Sequence, residues 1–411
     1  MMERPAAPEM RWASALSREA SFERAVGECV RSVRERLGAG EVSVAFAFVT
    51  PHFAARFEDL YGLVSEALGP EVFLGCSGGG VIGAFTEVEY APAVSLVAAR
   101  LPGVSVRPFR IPASPGALPD LDGPPGAWER LVGVPAAENP ALVLLSDPFS
   151  ARTEALISGL DYAYPQSVKV GGLVSGGTSP NTNALFLGGE VLTSGTVGVA
   201  LSGDIEVDTV VAQGCRPIGE LMTVTSCDGN FLYELDETPA LDVVRELFAS
   251  LKDRDLELAR SSLFVGVVMD EFDLEPGPGD FLIRNVIGFD PARGSLAVGE
   301  RLQPGMRLRF HVRDGETSAE DLALLLDGYA RLTGDSGPSA NPSGTLLFSC
   351  LGRGENLYGA PDFDSSLLRE RVGEVPMGGF FCNGEIGPVG GSTFLHGYTS
   401  SFAFFRPRTP R

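Results

Sequence analysis

The chain's candidate ligands and nucleophiles are few. They are three histidines (His52, His311, His396) and six cysteines (Cys29, Cys76, Cys215, Cys227, Cys350, Cys382). No two cysteines form a C-x-x-C pair and nothing matches H-E-x-x-H, so spacing supplies no metal site. Cys76, Cys350 and Cys382 each end an apolar run beside a glycine or a turn. A thiol in such a place is inert unless a cation or a helix N-terminus lowers its pKa. Arg353, in "SCLGRG", is a cation close to Cys350, but the scarcity of histidine partners weighs against a Cys350 or Cys76 nucleophile. Glu385, in "FFCNGEIGP", is a charge set among apolar residues and glycines. Such a charge is paired or functional, and an Arg353–Glu385 pair would satisfy both residues. A haem needs only one or two axial ligands, so spacing leaves a haem site on His396, in "FLHGYT", open beside the plainer reading of a satisfied core histidine.

The glycine clusters carry a second kind of chemistry. "FLGCSGGGVIG" (73–83) fits G-x-G-x-x-G at Gly78, Gly80 and Gly83, but the residues after it read as loop and strand. A dinucleotide fingerprint needs a helix opening there. "GCSGGG" also echoes a serine-protease nucleophile loop, without the histidine and aspartate partners that chemistry requires. The same order of strand, helix, strand and glycine loop returns in "ALVLLSDPFS" through "SVKVGGLVSGG" (167–177), with Pro51 matching Pro148 and Gly75 matching Gly172 at an offset of 97. A weaker third echo runs from "GTLLFSCLGRG" (344–354) to "GGFFCNGEIGPVGG" (378–391). Glycine loops recurring at strand ends predict a shared crevice in which main-chain N–H groups face a polar or anionic guest. The competing reading is simple tight turns.

The elements that must position these residues follow from periodicity. Residues 18–37 predict a helix on the spacing of Phe22, Val26, Cys29, Val33 and Leu37, closed by Gly38. "EVSVAFAFVT" (41–50) predicts a strand, and 238–251 and 318–332 predict capped helices. The Pro/Gly-rich 112–126 reads as a surface loop. The expected fold class is α+β, or mixed α/β, with two domains of duplicated β-α-β-β units and mixed or mostly antiparallel sheets. Expected boundaries are a helical extension over 1–40 and domains over 41–236 and 237–411.

With 411 residues the chain is long enough for two or three cores, and its net charge of −21 argues against nucleic-acid and membrane-surface partners. No apolar run reaches the roughly 18 residues of a membrane span. The start "MMERPAAPEMRW" lacks the apolar centre of a signal peptide, and the scattered cysteines predict a reduced, cytoplasmic protein.

"FLGCSGGGVIG", "QGCRPIGE" (213–220), "LYELDETPALDVVREL" (232–247), "LFSCLGRG" (347–354) and "GGFFCNGEIGPV…TFLHGYTSSFAFF" (378–405) together resemble the FIST N and FIST C domains. The likeness runs from about residue 40 to about 405. It implies an intracellular sensory module that binds small ligands such as amino acids and acts through a signalling partner, a kinase for example. It also implies, for some relatives, haem-based nitric-oxide sensing. Carried over by position, Gly75, Cys76, Ser77 and Gly78 fall on the N-half loop, Cys215 and Arg216 on "GCRPIG", and Cys350, Arg353, Asn383, Glu385, His396 and Thr399 on the C-half motifs. The resemblance implies ligand binding at these positions and assigns no catalytic residue. Arg353 and Glu385 would read the acid and amino ends of a small polar metabolite.

Overall fold

A computed structural model describes residues 9–277, 279–335 and 341–408. The opening residues 1–8, read above as part of a start without a leader, lie outside the described residues. In order the elements are β1 (Arg11–Ser17), α1 (Phe22–Leu37), β2 (Val44–Val49), α2 (Leu60–Leu68), β3 (Val72–Ser77), β4 (Gly80–Gly83), β5 (Thr86–Glu89), β6 (Val94–Arg100) and β7 (Val104–Ile111). Next come α3 (Gly126–Val132), β8 (Ala141–Ser146), α4 (Thr153–Ala163), β9 (Lys169–Leu173), β10 (Leu185–Leu187), β11 (Glu190–Leu192), β12 (Thr196–Gly203) and β13 (Ile205–Gln213). They are followed by β14 (Cys215–Asp228), β15 (Phe231–Leu235), β16 (Thr238–Pro239), α5 (Ala240–Ser250), α6 (Asp253–Ser261), β17 (Leu263–Val268), β18 (Phe281–Asp290), β19 (Ser295–Val298) and β20 (Arg307–Arg313). The chain closes with α7 (Gly315–Asp335), β21 (Gly344–Cys350), α8 (Glu355–Tyr358), α9 (Phe363–Arg371), β22 (Met377–Cys382), β23 (Gly384–Val389), β24 (Ser392–His396) and β25 (Thr399–Pro407).

The chain divides into two compact bodies. The first gathers residues up to Val211, Ala323–Leu395 and Thr399 onward; the second gathers Ala212–Leu322 and His396–Tyr398. The class is α+β with mixed sheets, as the patterning predicts. The first forty residues hold more than a helix, because β1 pairs antiparallel with β6 along its whole length. The helix itself starts at Phe22, where the Ser21 hydroxyl accepts from the Arg24 N–H, so its first turn is set by the cap.

The first body is built from three copies of one unit. Each copy has a parallel strand pair joined across a helix: β2 with β3, β8 with β9, and β21 with β22. Each pair centres a six-stranded sheet. In β2 the residues alternate between two cores: Val44, Phe46 and Phe48 enter one, Ala45, Ala47 and Val49 the other. The first core is common to all three sheets, with Leu145 and Val170 from the second and Leu346, Phe348 and Phe380 from the third. There Phe380 stacks on Phe48 with centroids 5.3 Å apart. The outer faces are covered by α1 and α2 over the first sheet and by α3 and α4, with Trp128 and Leu160, over the second. Over the third sheet Tyr329 of α7 stacks on Phe404 at 4.2 Å.

Each unit also gives its following hairpin away. After β3 the chain leaves its own sheet, and β4 pairs with β22 of the third sheet. After β9, β10 pairs with β3 of the first sheet. After β22, β23 pairs with β9 of the second sheet. The exchange runs once around the three units and returns to its start.

The second body is an antiparallel barrel. Its strands run β14-β20-β17-β18-β19-β15, and β15 pairs back onto β14. Leu232, Val265, Leu296, Leu308 and Phe310 fill its core beneath α5.

Glycine is required where the parallel pairs meet. A Cβ on Gly75 would lie 2.0 Å from the Ala47 carbonyl oxygen, and one on Gly171 or Gly379 would lie 1.8 Å from the oxygen of Leu144 or Leu347. The structural match to Gly75 is thus Gly171, one residue from the Gly172 that the sequence offset selects. Replacing Gly75 or Gly379 by alanine drives a methyl group into backbone that cannot move alone. Each change should cost about 3 kcal/mol or more. Gly62→Ala in α2, where nothing lies within 4 Å, should instead stabilise by about 0.5–1 kcal/mol. Urea midpoints at constant m-value check both; a mild Gly379→Ala would refute the strand-contact argument.

Candidate functional site

The carboxyl ends of β3, β9 and β22 converge in the first body. The Ser77 hydroxyl donates to the Ser175 carbonyl at 3.0 Å, and the Gly79 N–H donates to Ser175 Oγ at 2.8 Å. Ser175 Oγ itself donates to the Phe381 carbonyl. Asn383 completes the junction from the third unit, its Nδ2 donating to the Val174 carbonyl and its backbone N–H to that of Leu173, both at 3.0 Å. The glycine loops therefore do meet, as the repeats predict. Their amides are not free to hold a guest, however. The Ser77 N–H goes to Ala184 O and the Gly78 N–H to Val49 O. The glycines are there for close approach: a Cβ on Gly78 would sit 2.9 Å from Phe380 Cβ, and one on Gly79 would sit 2.7 Å from Leu351 Cδ2.

Beside this junction lies a cluster of buried charge. Arg353, in the turn after β21, is wholly buried. Its expected partner was Glu385; its actual partner is Asp364 of α9, through Nε to Oδ2 at 3.0 Å and Nη2 to Oδ1 at 3.2 Å. The fork geometry explains the choice, because a planar guanidinium matches a carboxylate in two parallel bonds. Ser349 and Ser400 also donate to Asp364 Oδ2. Burial works against the Asp364 charge, but the Arg353 guanidinium and these hydroxyls prevail and hold its carboxyl below the usual range. Tyr358 lies under the same guanidinium, 5.5 Å from ring centroid to cation, with its hydroxyl bonded to Nη2.

Glu385 stands in β23 opposite Gly172 of β9. Its Oε2 accepts two hydrogen bonds from Thr399, from the N–H at 3.1 Å and the hydroxyl at 2.8 Å. Its Oε1 is buried with no hydrogen-bond partner, and so is Nη1 of Arg353. Burial lifts the Glu385 carboxyl to about 8 despite the Thr399 bonds and the attraction of Arg353. Glu87 of β5 is lifted to about 8 as well, by burial and by the nearby Asp364 charge.

The three strand-end thiols share this region. Cys350 and Cys382 are register partners across β21 and β22. Cys382 Sγ occupies the space a Cβ on Gly172 would need, 2.5 Å away. Burial pushes the thiols of Cys76 and Cys382 well up, and the Glu385 charge adds to the effect on Cys382. That is the reverse of an activated nucleophile, and the cation meant to activate Cys350 is committed to Asp364.

Of the remaining sequence candidates, Arg216, Cys215, His311 and His396 belong to the second body and His52 to the first. Arg216 is bonded to Asp314 at 3.0 Å through Nε and to Asp255 through Nη2. Cys215 pairs in register with Arg313. His396 is buried, in the short segment His396–Tyr398 that belongs to that body. His311 is fully buried against Phe281 and Gly266, with Nδ1 3.0 Å from Arg309 O, and burial lowers its pKa to about 4. His52 is exposed. Packed against Phe281 and Gly266, the His311 ring has no open face for a porphyrin, and His52 has no enclosure for one. No group of three potential metal ligands occurs among the described residues.

Asp364, Tyr358, Glu87, Ser349 and Ser400 were missed by sequence reasoning. Asp364 sits inside "DSSLLRERVG", whose visible signal is a short helix, and Glu87 sits in a hairpin that reaches α9 only through the exchange.

Residues 43–238 match the FIST N domain and residues 240–388 the FIST C domain. The chain belongs to the FIST family. FIST domains are sensory, small-ligand-binding modules. An uncharacterized protein of Mycobacterium tuberculosis is 36% identical over 397 residues, 96% of this chain and 100% of its own length. One from Mycobacterium bovis is 35% identical over 382 residues, 92% of this chain and 94% of its own. An F-box/LRR-repeat protein of Arabidopsis thaliana is 24% identical over 316 residues, 65% of this chain and 58% of its own. A solved cyanuric acid hydrolase from A. caulinodans aligns with 97% of this chain and 100% of its own at 9% identity and a TM-score of 0.36. No helix among the described residues is long and apolar enough to cross a membrane.

The raised carboxyl pKa values set a pH dependence. Glu385 and Glu87 titrate near 8 when folded and near 4.5 when unfolded, so between those values the native state holds more protons. Their stabilisation is whole below pH 4.5, shrinks as pH rises, and is gone above 8. The melting temperature should fall from pH 5 to pH 8.5 by the equivalent of a few kcal/mol. Glu385→Gln should flatten that slope and melt higher than the wild type at pH 9. Calorimetry across the range reads this, and equal slopes would reject the assignment.

Proposed function

We propose that this FIST protein is a small-ligand sensor that holds a small polar metabolite beside the strand junction and reports its presence to a partner signalling protein. The observation that carries this reading is the pair of orphaned atoms, Arg353 Nη1 and Glu385 Oε1, in one buried cluster. Each buried polar group left unsatisfied costs about 1–3 kcal/mol. These two lie within electrostatic reach of each other, so a single guest could complete both. In sequence the cluster is flanked by Leu351, Gly352 and Tyr358, which are half-buried, and by Asn383, which is exposed. The partner reading draws support from the Arabidopsis relative, in which the FIST-like region is one part of a longer F-box/LRR-repeat protein. A net charge of −21 favours a partner surface that is not itself acidic. Six unbridged cysteines favour a reducing, cytoplasmic setting.

The test is a thermal-shift screen of the full chain against amino acids, organic acids and sugars at millimolar levels, with native mass spectrometry of the freshly purified protein. A guest at a hundred times its Kd should stabilise by about 2.7 kcal/mol. If nothing stabilises the protein and nothing copurifies, solvent alone completes the two atoms and the sensor reading fails.

A further inference from the structure

The atoms left unpaired also restrict what the guest can be. We propose that the guest at the Arg353–Glu385 cluster is a hydrogen-bond acceptor, a small carboxylate or oxo acid, and that it binds only while the Glu385 carboxyl carries a proton on Oε1. This inference rests on the reading of the cluster as a ligand site and names its ligand class.

The argument is one of donors and acceptors. Glu385 Oε2 already accepts from both the N–H and the hydroxyl of Thr399. An oxygen that receives two donors is the poor place for a proton, so the proton of the neutral acid belongs on Oε1. Oε1 has no partner, and a protonated Oε1 offers a donor. Arg353 Nη1 has no acceptor capacity at all and offers only N–H groups. Both free positions are therefore donors. An ammonium or other donor-only group finds no acceptor there, which removes the expected division of labour in which Glu385 reads an amino end.

The electrostatic surroundings agree. The groups around Glu385 are Arg353, whose charge is matched by Asp364; Cys382 of β22, whose thiol is pushed up and stays neutral; and the Thr399 donors of β25. Burial holds the acid in its neutral form to about pH 8. An oxygen acceptor entering between Nη1 and Oε1 meets donors at both, and the Asp364 carboxylate lies on the far side of the guanidinium's fork, bonded to Nε and Nη2. Once Glu385 ionises, the same oxygen faces a negative charge in a buried place.

Isothermal titration of the full chain with pyruvate and acetate as acceptor probes, and methylammonium as the donor-only probe, decides the matter. The acceptors should bind at pH 6.5, and their affinity should fall about tenfold per pH unit above 8. Methylammonium should not bind. In Glu385→Gln the amide N–H replaces the acid proton, so acceptor binding should persist and lose most of its pH dependence, the remainder following Glu87, which burial and Asp364 lift to about 8. If that variant does not fold, the wild-type pH profile alone still decides. Methylammonium binding that strengthens above pH 8, or acceptor binding flat across the range, overturns the class while leaving the site in place. If neither kind of probe binds and no screened guest stabilises the protein, the site reading itself falls.

Discussion

The structure depends on three parallel strand pairs lying close enough to pass their hairpins around a ring. Backbone takes the place that a side chain would otherwise fill. At the same step of each unit a glycine faces a carbonyl oxygen of the neighbouring strand, at Gly75, Gly171 and Gly379. With Cβ atoms there the pairs would spread, and the shared core of Phe48, Leu145 and Phe380 would open with them. Because β4, β10 and β23 each pair in a sheet other than their own, loosening one unit withdraws an edge from the next. The cost of ordering so many glycines is offset by a core that three sheets bury together.

That ring creates both the site and its electrostatics. The turn after β21 has little room, and Arg353 is folded inward where its charge must be answered locally. Asp364, Ser349 and Ser400 answer it from α9, β21 and β25. Removing one member of such a pair leaves a buried charge uncompensated, at a cost of about 3–5 kcal/mol. With Glu385 and Glu87 held neutral by burial, the Arg353–Asp364 pair supplies the cluster's balanced charge near neutral pH. The cluster is thus stable because two of its three acids stay protonated, and it is sensitive to alkaline pH for the same reason.

Much of this was legible in the residues. The repeats, the α1 register and the strand ends with Cys382 follow from periodicity, Arg353 and Glu385 stand out as charges beside apolar strands, and Thr399 enters only through the family resemblance. The pairings did not follow. Arg353 was matched to the nearest lone acid in motif context, whereas the real partner comes from a helix whose sequence signals only amphipathicity. Glycine clusters signal either exposed amides or tight contact, and composition cannot tell these apart; the hydrogen bonds of Gly78, Gly79 and Ser77 decide for contact. Hairpin exchange is equally silent in one sequence, since β4 has the same pattern whichever sheet receives it. His396 shares a motif with Cys382 and Glu385 of the first body, yet it belongs to the second.

The placement of the two orphaned atoms bears on how a sensor of this kind reports. Arg353 belongs to the turn that ends β21, inside the third sheet, whereas Glu385 sits on β23, the hairpin that the same unit has given to the second sheet. Thr399, which holds the Glu385 carboxyl, opens β25 back in the third sheet. A guest that bridges Nη1 and Oε1 therefore ties a sheet to its own donated hairpin, across the seam where one unit becomes the next. Binding energy spent there acts on the closure of the ring rather than on a surface loop. On the proposed reading a guest there would supply two hydrogen bonds at that seam, and its binding would stabilise the donated hairpin against its sheet.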